Sequence, residues 1–454
     1  METSADIRPA PRGGGQARAL LALGLPLIGS NLAQIAIHIT DTVMVGWYDV
    51  TALAGMTVAG SLFFVLFLLG SGFAWAVMPL AAAAAGTADD AQVRRVTRMG
   101  IWLSLGFAVL ATPPLIRSEP LLLALGQEPE VARQGGLYLG IAGFGMAPAL
   151  LIMALRSYLT ALERARIVLI VTLGGAALNA VLNYALIFGH WGAPEMGVRG
   201  AAIASLTLHL AGALWLALYA AWRTPEYQLF RNPHRPDGEA LRRVFRLGVP
   251  IGLTSLAEVG LFAAASIMMG WVGTVPLAAH GIALEIASVT FMVHLGLSQA
   301  VTVRAGQAHG RGDTDELRRV AATALVLSMA AALATVVLFL AVPDLMLGLF
   351  VAPDDPERPA ILAIGAALLA VAAVFQVMDA TQVMTLGMLR GVQDTRVPML
   401  IAALSYWVIG VPASYALGFW AGLGGTGIWW GLVIGLALAA ALLSARFWGA
   451  VAGR

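Results

Sequence analysis

The chain is written twice, and that duplication limits its fold more than any local motif does. Leu23 to Val96 lies over Leu247 to Val320, residue for residue and without a gap. The match opens with Leu23-Gly24-Leu25-Pro26 over Leu247-Gly248-Val249-Pro250. It passes through Met44, Gly46 and Trp47 over Met268, Gly270 and Trp271, and closes with Arg94-Arg95-Val96 over Arg318-Arg319-Val320. Roughly three positions in ten are identical, far above what shared apolar composition gives, so the self-similarity outranks any short pattern. Both copies consist of long apolar segments. A duplicated membrane domain of this size is the usual plan of a secondary transporter, whose sites lie between or inside the halves.

Apolar residues make up 59% of the chain and charged ones 11%, which is not the composition of a soluble globular protein. Stretches of about 20 apolar residues, each enough to cross a bilayer, recur from end to end. Twelve are predicted, so the expected fold class is an all-α integral membrane protein with two pseudosymmetric six-helix bundles. The predicted organisation is an N-terminal tail over 1–18, an N-lobe over 19–222, a polar linker over 223–243, a C-lobe over 244–448 and a C-terminal tail over 449–454. Pro225, Pro233 and Pro236 mark the linker. Pro26 and Pro250 occupy equivalent positions and are expected to kink the first helix of each lobe.

The near-zero net charge says nothing about partners, because the charges are segregated. There is no lysine, so arginine carries the whole topology signal. With an inner N-terminus, the inner side receives Arg8, Arg12, Arg18, Arg94, Arg95, Arg98, Arg164, Arg166 and the run from Arg223 to Arg246. It also receives Arg304, Arg311, Arg318, Arg319, Arg390, Arg396, Arg446 and Arg454. The outer side keeps Arg117, Arg133, Arg199 and Arg358 beside acids such as Glu119, Glu128 and Asp354. Positive charge stays on the cytoplasmic side, so both termini are expected to face the cytoplasm across a bacterial inner membrane. The chain has no cysteine, which removes disulfides and thiolate chemistry. Its first eighteen residues lack the pattern of a cleavable signal peptide.

Ionisable groups at membrane depth are costly and usually functional. Of the acids, Asp41, Glu258, Glu285 and Asp379 fall well inside predicted helices. Counted by helix rise, Asp379 lies about 17 Å from the Arg390 boundary and Glu258 about 18 Å from Arg246, both near the midplane. Glu285 lies about 13 Å from the outer end at Pro276, and Asp41 about 9 Å deeper than the Trp47–Tyr48 pair. These acids have polar neighbours. Asn31, Gln34, His38 and Asp41 form one stripe down the first helix, and Asn179 and Asn183 share a face one turn apart. Thr254 joins Glu258 on one face, and Phe375, Asp379 and Gln382 form another. Two carboxylates side by side can hold one proton between them, and their oxygens with Asn amides can coordinate a hard cation such as Na+. Either ion would compete with a cationic substrate for the same charge, which is enough for coupled exchange. His38 reads more readily as a hydrogen-bonded structural residue than as a proton relay. Amide stripes also join helices by hydrogen bonds, which leaves two readings of Asn31 and Gln34.

The chain resembles the multidrug and toxic compound extrusion (MATE) transporters, the NorM-type branch in particular. The most specific pieces are Asp41-Thr42-Val43-Met44-Val45-Gly46 and Met378-Asp379-Ala380-Thr381-Gln382. A third is Leu389-Arg390-Gly391-Val392-Gln393-Asp394-Thr395-Arg396-Val397-Pro398, and Gly197-Val198-Arg199-Gly200-Ala201-Ala202-Ile203-Ala204 is similar to the family's start of helix 6. The resemblance implies a V-shaped cavity between the lobes that alternately faces each side. It implies an N-lobe cation site of Asp41, Asn179 and Asn183, with Ser205 in place of a hydroxyl ligand. It also implies a C-lobe site of Glu258 and Asp379, to which Glu285 is added as a further intramembrane acid. Phe375 stands where some members place a tyrosine, and Asn183 rather than aspartate favours the NorM-type branch.

Gly422-Leu423-Gly424-Gly425-Thr426-Gly427 matches a dinucleotide-binding pattern, but it sits between two membrane helices with no strand before it and reads as a turn. No nucleophile with a base is evident, so an enzyme is not expected. A flippase for lipid-linked precursors would line its cavity with arginine to hold phosphates, whereas the deep charges here are acidic. The expected function is cation-coupled efflux, Na+ or H+ entering as cationic or amphipathic organic compounds leave. Gln34, His38, Phe375, Gln382, Met292, Phe291 and Met384 are candidates for the cavity lining, methionine and aromatic side chains giving an adaptable surface. Besides the coupling ion no cofactor is expected, nor a nucleic-acid partner; the chain is expected to act as a monomer in the lipid bilayer.

Overall fold

The computed structural model describes residues 14–451. Arg8, Arg12 and Arg454, and with them most of the tails expected at 1–18 and 449–454, lie outside the described residues. Among the described residues, twelve helices are long and apolar enough to cross a membrane. They are α1 (Gly15–Tyr48), α2 (Val50–Gly86), α3 (Asp90–Ile116), α4 (Pro129–Ala161), α5 (Ala165–Phe188) and α6 (Val198–Arg223). The second set is α7 (Gly238–Val272), α8 (Thr274–Arg311), α9 (Thr314–Ala341), α10 (Arg358–Gly391), α11 (Arg396–Trp420) and α12 (Gly424–Gly449). The first six form one bundle and the last six the other. The arginine-rich side of the molecule carries the start of α1, the α2–α3 turn and the α6–α7 linker.

Local chemistry sets the helix ends. Asp89 caps α3 by accepting from Gln92 N at 2.9 Å, and Asp313, its equivalent in the repeat, caps α9 by accepting from Glu316 N at 2.8 Å. The residue before each cap is left-handed: Gly312 has φ 70°, and Ala88 holds the same conformation at φ 56° with a side chain that disfavours it. Asp237 caps α7 at Ala240 N, 3.0 Å away, so residues 238–243, expected to belong to the linker, are the first turns of the helix. Residues 15–18 are likewise helical, because the polar sequence before the apolar stretch still forms hydrogen-bonded turns.

The linker is strapped to the N-lobe. Arg94 donates to Tyr227 O at 3.4 Å, Arg98 to Leu229 O at 2.7 Å, and Trp102 Nε1 to Pro233 O at 2.9 Å. Arg95 bonds both Asp237 and Glu239 at the start of α7. A second ionic group joins the lobes: Arg304 of α8 reaches Glu163 beyond α4 at 3.2 Å and Glu316 of α9 at 3.3 Å.

The lobes meet through α1 and α2 on one side and α7 and α8 on the other. The seam is built from repeat-equivalent positions. A Cβ on Gly72 of α2 would stand 2.7 Å from Gly252 N, so the backbones of α2 and α7 touch there without intervening side chains. In the matching seam a Cβ on Gly296 of α8 would stand 2.7 Å from Ile28 N on α1. Further along, Gly86 packs on Gln307, and Gly310 on Ala83. All these contacts lie in the halves of the helices nearest the arginine-rich side. Towards the far side Gly60 of α2 and Gly281 of α8 face open space. These glycine contacts between the lobes thus gather towards the arginine-rich side.

Candidate functional site

Each lobe carries one polar cluster at membrane depth. In the N-lobe, Asp41 of α1 faces α5, and Oδ1 accepts from Asn179 Nδ2 and from Asn183 Nδ2, both at 2.6 Å. The carbonyl oxygens of both asparagines are buried without a hydrogen-bond partner among the described residues. Two amide oxygens and one carboxylate therefore offer unused lone pairs in one place, the donor chemistry that suits a hard cation. Ser205 of α6 lies beside the cluster, its Oγ 3.4 Å from the hydroxyl of Tyr138 on α4, a group that feels the charge of Asp41. Tyr138 carried no signal in the sequence. His38, exposed one turn before Asp41, acts on it electrostatically, and Gln34 is exposed a further turn along.

The stripe on α1 ends in a residue that sequence reasoning missed. Arg156 of α4, only 3% exposed, donates to Oδ1 of Asn31. Ser30 Oγ bonds Thr172 Oγ1 of α5 at 2.9 Å beside it. Arg156 lies in the last turns of an apolar segment, where the charge rule assigns an arginine to the boundary; its side chain instead points inward to the middle of α1.

In the C-lobe, Asp379 of α10 is 1% exposed, with Oδ2 lacking a partner among the described residues. Glu258 of α7 is half-buried and acts on it electrostatically. Around them, Gln382 Nε2 donates to the Tyr406 hydroxyl at 2.8 Å, and Gln376 Nε2 donates to Thr290 Oγ1 at 2.7 Å. Both glutamines keep an unpartnered carbonyl oxygen. Tyr406, on α11, supplies a buried hydroxyl that feels the charge of both acids. Glu285 is half-buried on α8 and makes no hydrogen bond or ion pair among the described residues.

Three expected lining residues do not line an opening. Met384 and Gln382 are fully buried, and Phe375 is packed edge-on against Phe262 and Trp429, ring centroids 5.9 and 5.8 Å apart. The face of α10 that carries them turns into its own lobe against α12 and α8, so helical periodicity chose the right face but not its surroundings. Met292 and Phe291 of α8 are half-buried. His280 is committed to structure: Nδ1 accepts from Trp429 Nε1 and Nε2 bonds Ser266 Oγ, each at 3.0 Å.

A family model described as MatE matches residues 26–185 and 250–416, one block in each lobe. The chain belongs to the MATE family. Among its relatives, a protein of Agrobacterium fabrum described as "Probable multidrug resistance protein NorM" is 45% identical over 453 residues, covering 98% of this chain and 97% of the relative. One of the same description from Rhizobium meliloti is 47% identical over 433 residues, covering 95% and 92%. The fold is that of solved MATE transporters. A structure described as the outward-facing conformation of a multidrug resistance MATE family transporter superposes with TM-score 0.88 at 21% identity, covering 98% of this chain and all of the other. A structure described as a MOP superfamily transporter from Pyrococcus furiosus superposes with TM-score 0.87 at 21% identity, covering 97% of each chain. This MATE chain is accordingly a multi-pass membrane transporter of the NorM type, and not an enzyme.

Proposed function

We propose that this MATE protein exports cationic or amphipathic organic compounds in exchange for Na+ or H+, by alternating access between its lobes. The observation that carries the reading is Asp379: a nearly inaccessible carboxylate with an unpartnered oxygen, in electrostatic contact with Glu258, in a helix that must cross the bilayer. Leaving such a group uncompensated is expensive, and a proton, a Na+ ion or a substrate cation would each offset the cost. The Asp41–Asn179–Asn183 cluster is a second seat for Na+ or H+. The relatives' names support organic drugs as the substrate class.

In this reading the arginine-rich side is cytoplasmic, both termini lie inside, and the opposite side opens outward from a bacterial inner membrane. Ion binding at Glu258/Asp379, at Asp41/Asn183, or at both favours the outward-open state, in which the drug is released. The chain acts as a monomer and takes no cofactor besides the coupling ion.

The test is efflux of a dye cation from proteoliposomes, with a sodium gradient and a pH gradient imposed separately. Drive by either gradient establishes antiport and names the ion. Silence under both, with lipid co-purifying, would replace this reading with a flippase for lipid-linked precursors.

A further inference from the structure

Arg156 carries a deep positive charge that the proposed exchange does not use. It lies on α4 about 8 Å, by helix rise, before the helix ends at Ala161, and its Nη2 donates inward to Asn31 Oδ1 near the middle of α1. Among the described residues no acid pairs with the guanidinium, and Asn31 is its only hydrogen-bond partner. Asn31 is itself 3% exposed, and its amide nitrogen, on the same carbon as the bonded oxygen, has no partner among the described residues. Thr160, one turn further along the same face of α4, is fully buried with an unpartnered hydroxyl. The surplus here is of donors and positive charge. At Asp41 it is the reverse, acceptors and negative charge, which suits a cation. A guanidinium does not shed its proton in proteins, so a buried one without a counter-charge stays costly until an anion arrives.

We infer that Arg156 and Asn31, with the Thr160 hydroxyl beside them on α4, form an anion subsite between α1 and α4. It takes a single monovalent anion, supplied by the acid group of an exported compound or by chloride. The first source rests on the export reading and widens it. Asn31 and Asp41 share one stripe of α1 and stand about 15 Å apart along the helix, so a compound with an acid at one end and an amine at the other meets the complementary charge at each. A carboxylate also matches the fork of a guanidinium, which a spherical ion does not. Zwitterionic amphiphiles thereby join plain cations as a substrate class.

Two measurements on the detergent-solubilised protein separate the sources, and neither needs a gradient. The first is fluorescence anisotropy with rhodamine B, which has a free benzoate beside its cationic rings, and with its ethyl ester, the same dye without the acid. The original chain should hold the acid at least about tenfold more tightly than the ester, and Arg156→Gln should bring that ratio close to one. The second is the unfolding midpoint as chloride replaces sulfate at constant ionic strength. If chloride is the occupant, it raises the midpoint of the original chain and not that of Arg156→Gln. A response that depends on Arg156 in either measurement supports the subsite and names its source. The inference is overturned if the original chain shows neither response, or if Arg156→Gln shows the same response as the original chain. Should Arg156→Gln not fold, Asn31→Asp makes the same comparison: it keeps the side-chain shape, sets a carboxylate against the guanidinium, and should abolish both responses. Failed ion-driven efflux with the acid preference intact would overturn the antiport reading alone. Efflux without any Arg156-dependent response would overturn this inference alone.

Discussion

Asn183 and Asp41 meet at 2.6 Å across the α1–α5 contact, on the same carboxylate oxygen that already accepts from Asn179. Hydrogen bonds to a charged acceptor contribute about 1.5–3 kcal/mol each. Asn183→Ala should therefore destabilise the protein by about 1–3 kcal/mol and leave Asp41 with one amide. Thermal unfolding in detergent, with and without Na+, checks both parts: the midpoint falls, and any stabilisation by Na+ that depends on this site shrinks. An unchanged midpoint would mean the amide contributes nothing to holding α1 against α5.

Neutralising the C-lobe acids should remove ion drive. Glu258→Gln/Asp379→Asn keeps the side-chain volumes, so it should remain folded while ion-driven efflux in proteoliposomes drops at least about tenfold, the equivalent of 1.4 kcal/mol. Efflux at the original rate would take both acids out of the mechanism.

Removing the guanidinium of Arg156 frees Asn31 and empties space between α4 and α1. Arg156→Ala should cost about 2–4 kcal/mol from a lost charge-assisted hydrogen bond and lost packing. Arg156→Lys should recover only part of it, since an ammonium lacks the planar fork. Unfolding midpoints of the two variants, ranked against the original chain, give the answer; equal midpoints for all three would contradict it.

The interlobe seam should be intolerant of volume. Gly72→Ala places a methyl against the Gly252 backbone and should cost about 1–3 kcal/mol or force the lobes apart. Gly60→Ala, facing open space, is the matched control and should unfold at nearly the original temperature.

The strap at the start of α7 should fail only in strong acid. The Arg95 guanidinium holds the Asp237 carboxyl below its ordinary value of 3.8. A carboxyl so depressed contributes stability above its unfolded pKa and loses it as the pH falls through the folded one. The stability difference between the original chain and Asp237→Asn should thus stay constant, at about 0.5–1 kcal/mol, from pH 8 to 5 and close below about pH 4. A difference that changes around neutrality would assign the pH response to another group.

The helices were legible in the sequence because bilayer thickness fixes how long an apolar run must be, and the lobes because the repeat aligns without a gap. Their ends were not. The turns from Gly238 to Arg243 are as polar as a linker, and only the Asp237 cap shows that the helix has begun. Within the sites, the one-turn spacing of Asn179 and Asn183 was enough to put them on one face. Their shared partner, Asp41, was indicated only by the family resemblance. Arg156 was hidden by a charge rule that expects arginines at boundaries. Tyr406 was hidden because one tyrosine in an apolar helix is indistinguishable from packing. Met384 and Gln382 show the converse: a helix face is set by periodicity, but what it faces is set by the neighbouring helices, which no local pattern records.

The two seams between the lobes occupy equivalent places and differ in the residue that meets the central glycine. Where α2 meets α7, Gly72 lies against Gly248 and Gly252; where α1 meets α8, Gly296 lies against Ile28, the residue equivalent to Gly252. The Gly72–Gly252 approach has no side chain of its own to repack when two helices tilt, whereas an isoleucine has few rotamers and must find room for one of them. The first seam can therefore act as the pivot and the second must reshape around it. If alternating access rocks the lobes, two like halves would thus turn about an off-centre axle.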